Sequence, residues 1–184
     1  GLAVQMLREN RTFLDDNSAR GSITATAARL LQAGQILSTS QQVVLDALVD
    51  NHLLVRSSDP PGYEFPHHQI QEWYATSYVT AIISSCLENA APASLRILRQ
   101  EILNLRHWEE SLLLSCEKLS RANDLGERAV ANAIASAMEI DTVLAGRMLY
   151  ASSSGVWLHL RARVLAFIGM QREGGQLDRL INFM

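Results

Sequence analysis

Apolar residues recur at intervals of three and four along almost the whole chain, and a strand-like stretch replaces that spacing in one place, between Leu53 and Phe65. Three-and-four spacing lines one face of an α-helix, so the chain is predicted to be mainly α. Within the interruption, Leu53-Leu54-Val55-Arg56 reads as a short strand, Asp59-Pro60-Pro61-Gly62 as a turn and Tyr63-Glu64-Phe65 as the returning strand. The 184 residues suffice for one sizeable core or two small ones.

Three helices are predicted ahead of the hairpin. The first runs from Leu2 to Leu14 and stops at Asp15-Asp16-Asn17-Ser18, with a loop through Gly21. The second is capped by Ser22 or Thr24, carries Ile23, Ala27, Leu30 and Leu31, and ends near Gly34; the third is capped within Ser38-Thr39-Ser40 and turns Val43, Val44, Ala47 and Leu48 inward as far as Asn51. Helix, helix and two-stranded wing is a winged-helix pattern. A long helix follows from Pro66 or His67 to about Asn89, with Ile70, Trp73, Tyr74, Tyr78, Ile82, Ile83 and Leu87 as its buried stripe, and Ala90-Ala91-Pro92 breaks it.

The remainder reads as helix after helix. Leu95, Leu98, Ile102 and Leu105 form one stripe; Trp108, Leu112, Cys116 and Leu119 a second; Ala129, Val130, Ala133, Ile134, Ala137 and Met138 a third. Leu144, Met148 and Ala151 follow behind Asp141, then Trp157, Leu160, Val164 and Ile168, with a break at Gly174-Gly175 and a Leu177–Phe183 tail. Helical pairs of this length suggest an antiparallel solenoid or bundle. The expected organisation is a winged-helix domain over residues 1–89 and a helical scaffold over 90–184.

Net charge −3 with almost no lysine argues against a nucleic-acid partner, because phosphate-binding surfaces cluster cations. Arg96, Arg99 and Arg106 interleave with leucines as a solvated helix face. Cys86 and Cys116 lack CxxC partners and read as free buried thiols, which suits a reducing, cytoplasmic setting. No stretch reaches the roughly 18–20 apolar residues of a membrane span, so no membrane partner is expected. The chain opens on Gly1 without Met, and the expectation is an internal fragment of a longer protein.

The most specific stretch runs from Tyr63 to Ala75. Phe65, then His67, then Gln71-Glu72-Trp73-Tyr74-Ala75, directly after a helix and a Leu-Leu-Val strand, resembles the end of the winged helix in NACHT-type STAND nucleotide-switch ATPases. The likeness covers about residues 38–80; Trp108-Glu109-Glu110 and Asp141-Thr142-Val143-Leu144-Ala145 more loosely resemble the helical arm of bacterial members. The resemblance implies that His67 contacts the β-phosphate of ADP and helps hold the inactive state. It also implies that ATP or ADP with Mg sits in the parent protein, in an upstream NTPase domain of the same chain. Other protein domains or self-association are the further expected partners.

This stretch of chain is not expected to be an enzyme and is expected to hold no cofactor: it has no GxxxxGK[ST] loop to cradle a triphosphate and no GxSxG elbow. His67, His68 and Glu72 could be written as a metal site, but a third ligand is missing and helix-surface pairing of His68 with Glu72 is the simpler reading. The expected function is therefore a non-catalytic signal relay. The alternative is a stand-alone helical interaction scaffold, or a winged-helix transcription regulator reading DNA with residues Gln41 to Asn51, which carry two acids and no base.

Overall fold

The computed structural model describes residues 1–87 and 92–173. It is mainly helical with one small antiparallel sheet, in the order α1 (Leu2–Arg8), β1 (Phe13–Asp15), α2 (Asp16–Gln32), α3 (Gln41–Asp50), β2 (Val55–Ser58), β3 (Pro61–Glu64), α4 (His68–Ser85), α5 (Pro92–Ile97), α6 (Glu109–Ser120), α7 (Asp124–Met138), α8 (Thr142–Ala151) and α9 (Ser154–Glu173). The chain divides into two compact units, residues 1–75 and 76–184. That division falls inside α4, whereas the sequence placed a boundary after Asn89. The expected breaks at Ala90-Ala91 and Gly174-Gly175 and the Leu177–Phe183 tail lie outside the described residues.

The first unit corrects the two-stranded wing, because a third strand joins it. β1 pairs with β3, which pairs with β2, giving the order β1-β3-β2 with Leu14 opposite Tyr63 and Asp15 opposite Gly62. Phe13 and Leu14 were expected to finish the first helix; instead α1 stops at Arg8 and they extend. Gly62 makes this possible, since a β-carbon there would collide with the Leu14 carbonyl and the Phe13 ring. The loop expected from Asp15 to Gly21 is also absent. Asp15 itself caps α2, accepting the Ser18 amide at 2.9 Å, so the helix begins six residues before Ser22.

Leu2, Met6, Leu14, Ala19, Ile23, Leu45, Leu54 and Tyr63 fill the core of this unit. α3 presents Leu45 fully, with Val44, Leu48 and Val49 partly buried, while Val43 is exposed. Its inward face is thus turned by one residue from the expected stripe.

α1, α2 and α3 all end in the same device. The residue after the cap donates to the carbonyl three back and the next residue to the carbonyl five back: Asn10 to Leu7 and Arg11 to Met6, Gly34 to Leu31 and Gln35 to Leu30, His52 to Val49 and Leu53 to Leu48. The first residue of each pair adopts positive φ, 51° at Asn10, 67° at Gly34 and 57° at His52. Only glycine does so without cost. Exposed His52 carries about 1–2 kcal/mol of left-handed strain, against about 0.5–1 kcal/mol of extra unfolded-chain entropy for glycine. His52→Gly is expected to raise the stability of residues 1–75 by about 0.5–1 kcal/mol in urea unfolding; a loss would mean that the imidazole makes a compensating contact.

In the second unit α7 realises its sequence stripe in full: Ala129, Val130, Ala133, Ile134, Ala137 and Met138 are all buried. Trp108, Leu112 and Cys116 are likewise buried. Cys86 and Cys116 are free, the former half-buried, and burial pushes the Cys116 thiol up to about 12.

The stretch predicted as one helix from Ser94 to Leu105 is instead α5, a π-helical turn over Leu98–Ile102 and a short 3₁₀ turn over Arg106–Trp108. Leu103 donates to the Leu98 carbonyl at 2.8 Å, five residues back. Leu98, Ile102 and Leu103 are buried, and Leu95 and Leu105 are exposed. α9 buries Val156, Leu160 and Val164 and leaves Trp157, Leu158 and Leu165 outward. Among the described residues no helix is long and apolar enough to cross a membrane.

Candidate functional site

β3 ends at Glu64, and Phe65, Pro66 and His67 lead into α4. Proline biases the residue before it toward extended backbone and cannot itself continue a strand ladder, so the hairpin stops and the helix starts within four residues. His67 sits just ahead of α4, its carbonyl accepting the Ile70 amide at 3.0 Å. The residue is exposed, and its imidazole makes no hydrogen bond among the described residues.

The neighbouring side chains are engaged. His68 Nδ1 lies 3.0 Å from Glu72 Oε1, one helical turn on, which is the pairing expected in place of a metal site. Gln71 is 1% exposed, and its Nε2 donates to the Arg11 carbonyl at 3.2 Å. Glu72, Ala75, Thr76, Val79 and Ile83 are also buried, so the inward face of α4 runs through Gln71 and Glu72. This corrects the expected stripe. Trp73 is 61% exposed and Tyr74 40%. Tyr74 stands edge-on to Trp73 at 5.0 Å and lies 6.1 Å from Phe65, and Phe65 and Tyr74 together form one side of an apolar cavity of about 220 Å³ shared with Leu2, Ile23, Leu48 and Leu54. What the arrangement offers chemically is one exposed imidazole, that of His67, left unpaired among the described residues at a helix start where amide N–H groups favour anions.

A second feature closes the face formed by α2, α3 and the hairpin. Asp16 pairs with Arg20 at 2.6 Å; Arg20 bonds Gln42 at 2.5 Å; Gln42 bonds Asp46 at 2.7 Å; Asp46 pairs with Arg56 at 2.6 Å; Arg56 bonds the Tyr63 hydroxyl at 3.2 Å, which returns to Asp16 at 3.4 Å. The hydrogen bond that Arg20 donates holds the Asp16 carboxyl below its ordinary range, and the one that Arg56 donates to Asp46 raises the Arg56 guanidinium. Both arginines of this ring are matched by an acid within it. Nothing in the sequence flagged the ring, because its members are spread over four elements.

In the second unit His159 Nε2 lies 3.1 Å from Asp124 Oδ1 and 3.8 Å from Glu127 Oε2, and Ser153 Oγ donates to Glu127 Oε1 at 2.8 Å. The acids occupy the first turn of α7, where the helix dipole stabilises them, and an imidazole beside them needs no ion to explain it. Asp124 and Glu127 are three residues apart, but His159 carried no sequence signal linking it to them.

Compared with protein-family models, curated proteins and solved structures, the chain matches none.

Proposed function

We propose that residues 1–75 form a winged helix, that the chain is the regulatory segment of a NACHT-like nucleotide-switch protein, and that His67 contacts the phosphates of ADP held by an upstream NTPase domain of the same chain. The observation that carries this reading is the order helix, strand, helix, helix, strand, strand in α1-β1-α2-α3-β2-β3, closed by a β1-β3-β2 sheet and leading directly into the Phe65-to-Ala75 motif. The exposed His67 imidazole is consistent with a contact made to another domain. In this reading the segment is non-catalytic, the nucleotide and Mg belong to the NTPase domain, and the helices after α4 relay the switch to a sensor or effector. A ligand moves such a switch only through unequal contacts with its two states, and His67 supplies one of them.

A hydrogen bond to a charged group contributes about 1.5–3 kcal/mol, so His67→Ala in the full-length protein is expected to speed ADP release by about tenfold or more. An unchanged release rate would remove the role, and so would coding sequence upstream of Gly1 that holds no P-loop.

Of the alternatives, a protein-interaction scaffold is favoured by the exposed Trp73, Tyr150, Leu158 and Leu165. DNA reading by α3 is disfavoured because Arg20 and Arg56 are each already paired with an aspartate. Duplex DNA at low salt separates these two: a mobility shift would favour the transcription regulator.

A further inference from the structure

We propose that Gln71 is the positioning residue for His67, an inference that rests on the nucleotide-switch reading above. Gln71 opens the buried face of α4, at its N-terminal end, where an apolar side chain would pack without any polar group to satisfy. Its amide instead spans to the Arg11 carbonyl, sixty residues earlier in the chain. That acceptor is itself fixed, because the Arg11 amide closes the end of α1 on the Met6 carbonyl at 2.8 Å. One turn of α4 is therefore tied at two points: Gln71 to the α1–β1 connection, and His68 to Glu72. His67 lies immediately ahead of that turn and is joined to it through the Ile70 amide. The turn is held while the His67 imidazole is left available. A contact to phosphate is stronger when the backbone that carries the donor is already fixed, since less of it has to be ordered on binding.

The test uses three variants of the full-length protein. Gln71→Met keeps the volume and removes the donor, with Gln71→Leu as the substitute should methionine not fold. His67→Ala removes the contact itself. Ser120→Ala removes a hydrogen bond at a different buried side chain, in which Ser120 Oγ accepts the Ser153 amide at 2.9 Å, and serves as the control for simple loss of stability.

Two readouts are taken: the ring resonances of His67 by NMR, and the rate of ADP release. Gln71→Met is expected to shift or broaden the His67 ring signals and to speed release about three- to tenfold, short of His67→Ala, with Ser120→Ala altering neither. Wild-type ring signals and release in Gln71→Met would overturn the positioning role, even where His67→Ala still speeds release and the switch reading survives. Altered ring signals in Gln71→Met with no effect of His67→Ala on release would do the reverse, keeping the positioning and removing the nucleotide contact. Equal effects of Ser120→Ala and Gln71→Met on the His67 ring would also overturn it.

Discussion

Gly126→Ala is expected to cost about 3 kcal/mol or more and to lower the melting temperature of the second unit by about 10 °C or more, although it places a better helix former in a helix. Helix propensity alone favours alanine by about 0.5–1 kcal/mol. The space decides otherwise. A β-carbon on Gly126 would fall on the Leu119 carbonyl, which is backbone of α6 and has no rotamer to move into. The first turn of α7 cannot retreat cheaply either, since the Gly126 amide is held by the Asn123 cap at 2.9 Å. Thermal unfolding followed by circular dichroism measures this directly. A melting temperature equal to or above wild type would mean that α6 and α7 do not approach this closely.

Trp108→Ala should be comparably damaging, at about 3–5 kcal/mol, because the largest side chain of the core is 1% exposed and packs 5.9 Å from the Tyr78 ring. Trp108→Phe is the informative partner. The indole Nε1–H is buried and finds no acceptor among the described residues. Leaving such a donor unmatched costs about 1–3 kcal/mol, so phenylalanine recovers much of what it loses in area and the net cost should be about 1 kcal/mol or less. Denaturant unfolding of the two variants makes the comparison. Equal losses would show that the indole N–H is bonded after all.

How much of this was legible in the sequence varied with the kind of signal. Long helices with strong periodicity could be read residue by residue, and α7 is the clearest case. Three-residue strands have no period to read, so Phe13 and Leu14 passed as the end of a helix; the trace they left was Gly62, whose missing side chain is what lets β1 approach. Asp15 reads as a loop in the sequence because an acidic run looks the same whether it ends one helix or caps the next.

On α4 the hydrophobicity of Trp73 and Tyr74 points to them as the inward face, and the structure instead buries Gln71 and Glu72. The polar pair can be buried because their ends find partners. The place of His67 at a helix start was readable, but its support was not, since the partner of Gln71 is a backbone carbonyl and every residue has one.

The π-helical turn at Leu98–Ile102 acts as a phase reset. Leu95, Leu98, Ile102 and Leu105 scan as one continuous stripe, yet the extra residue in the turn advances the helix by about 100°. Leu103 joins Leu98 and Ile102 inside, and Leu105 falls outside. A chain shorter by one residue at this point could close as ordinary α-helix with every backbone bond intact, and would still leave the turn rotated by about 100°. Length is therefore constrained here more tightly than side-chain identity, which is the opposite of what holds for an ordinary surface loop.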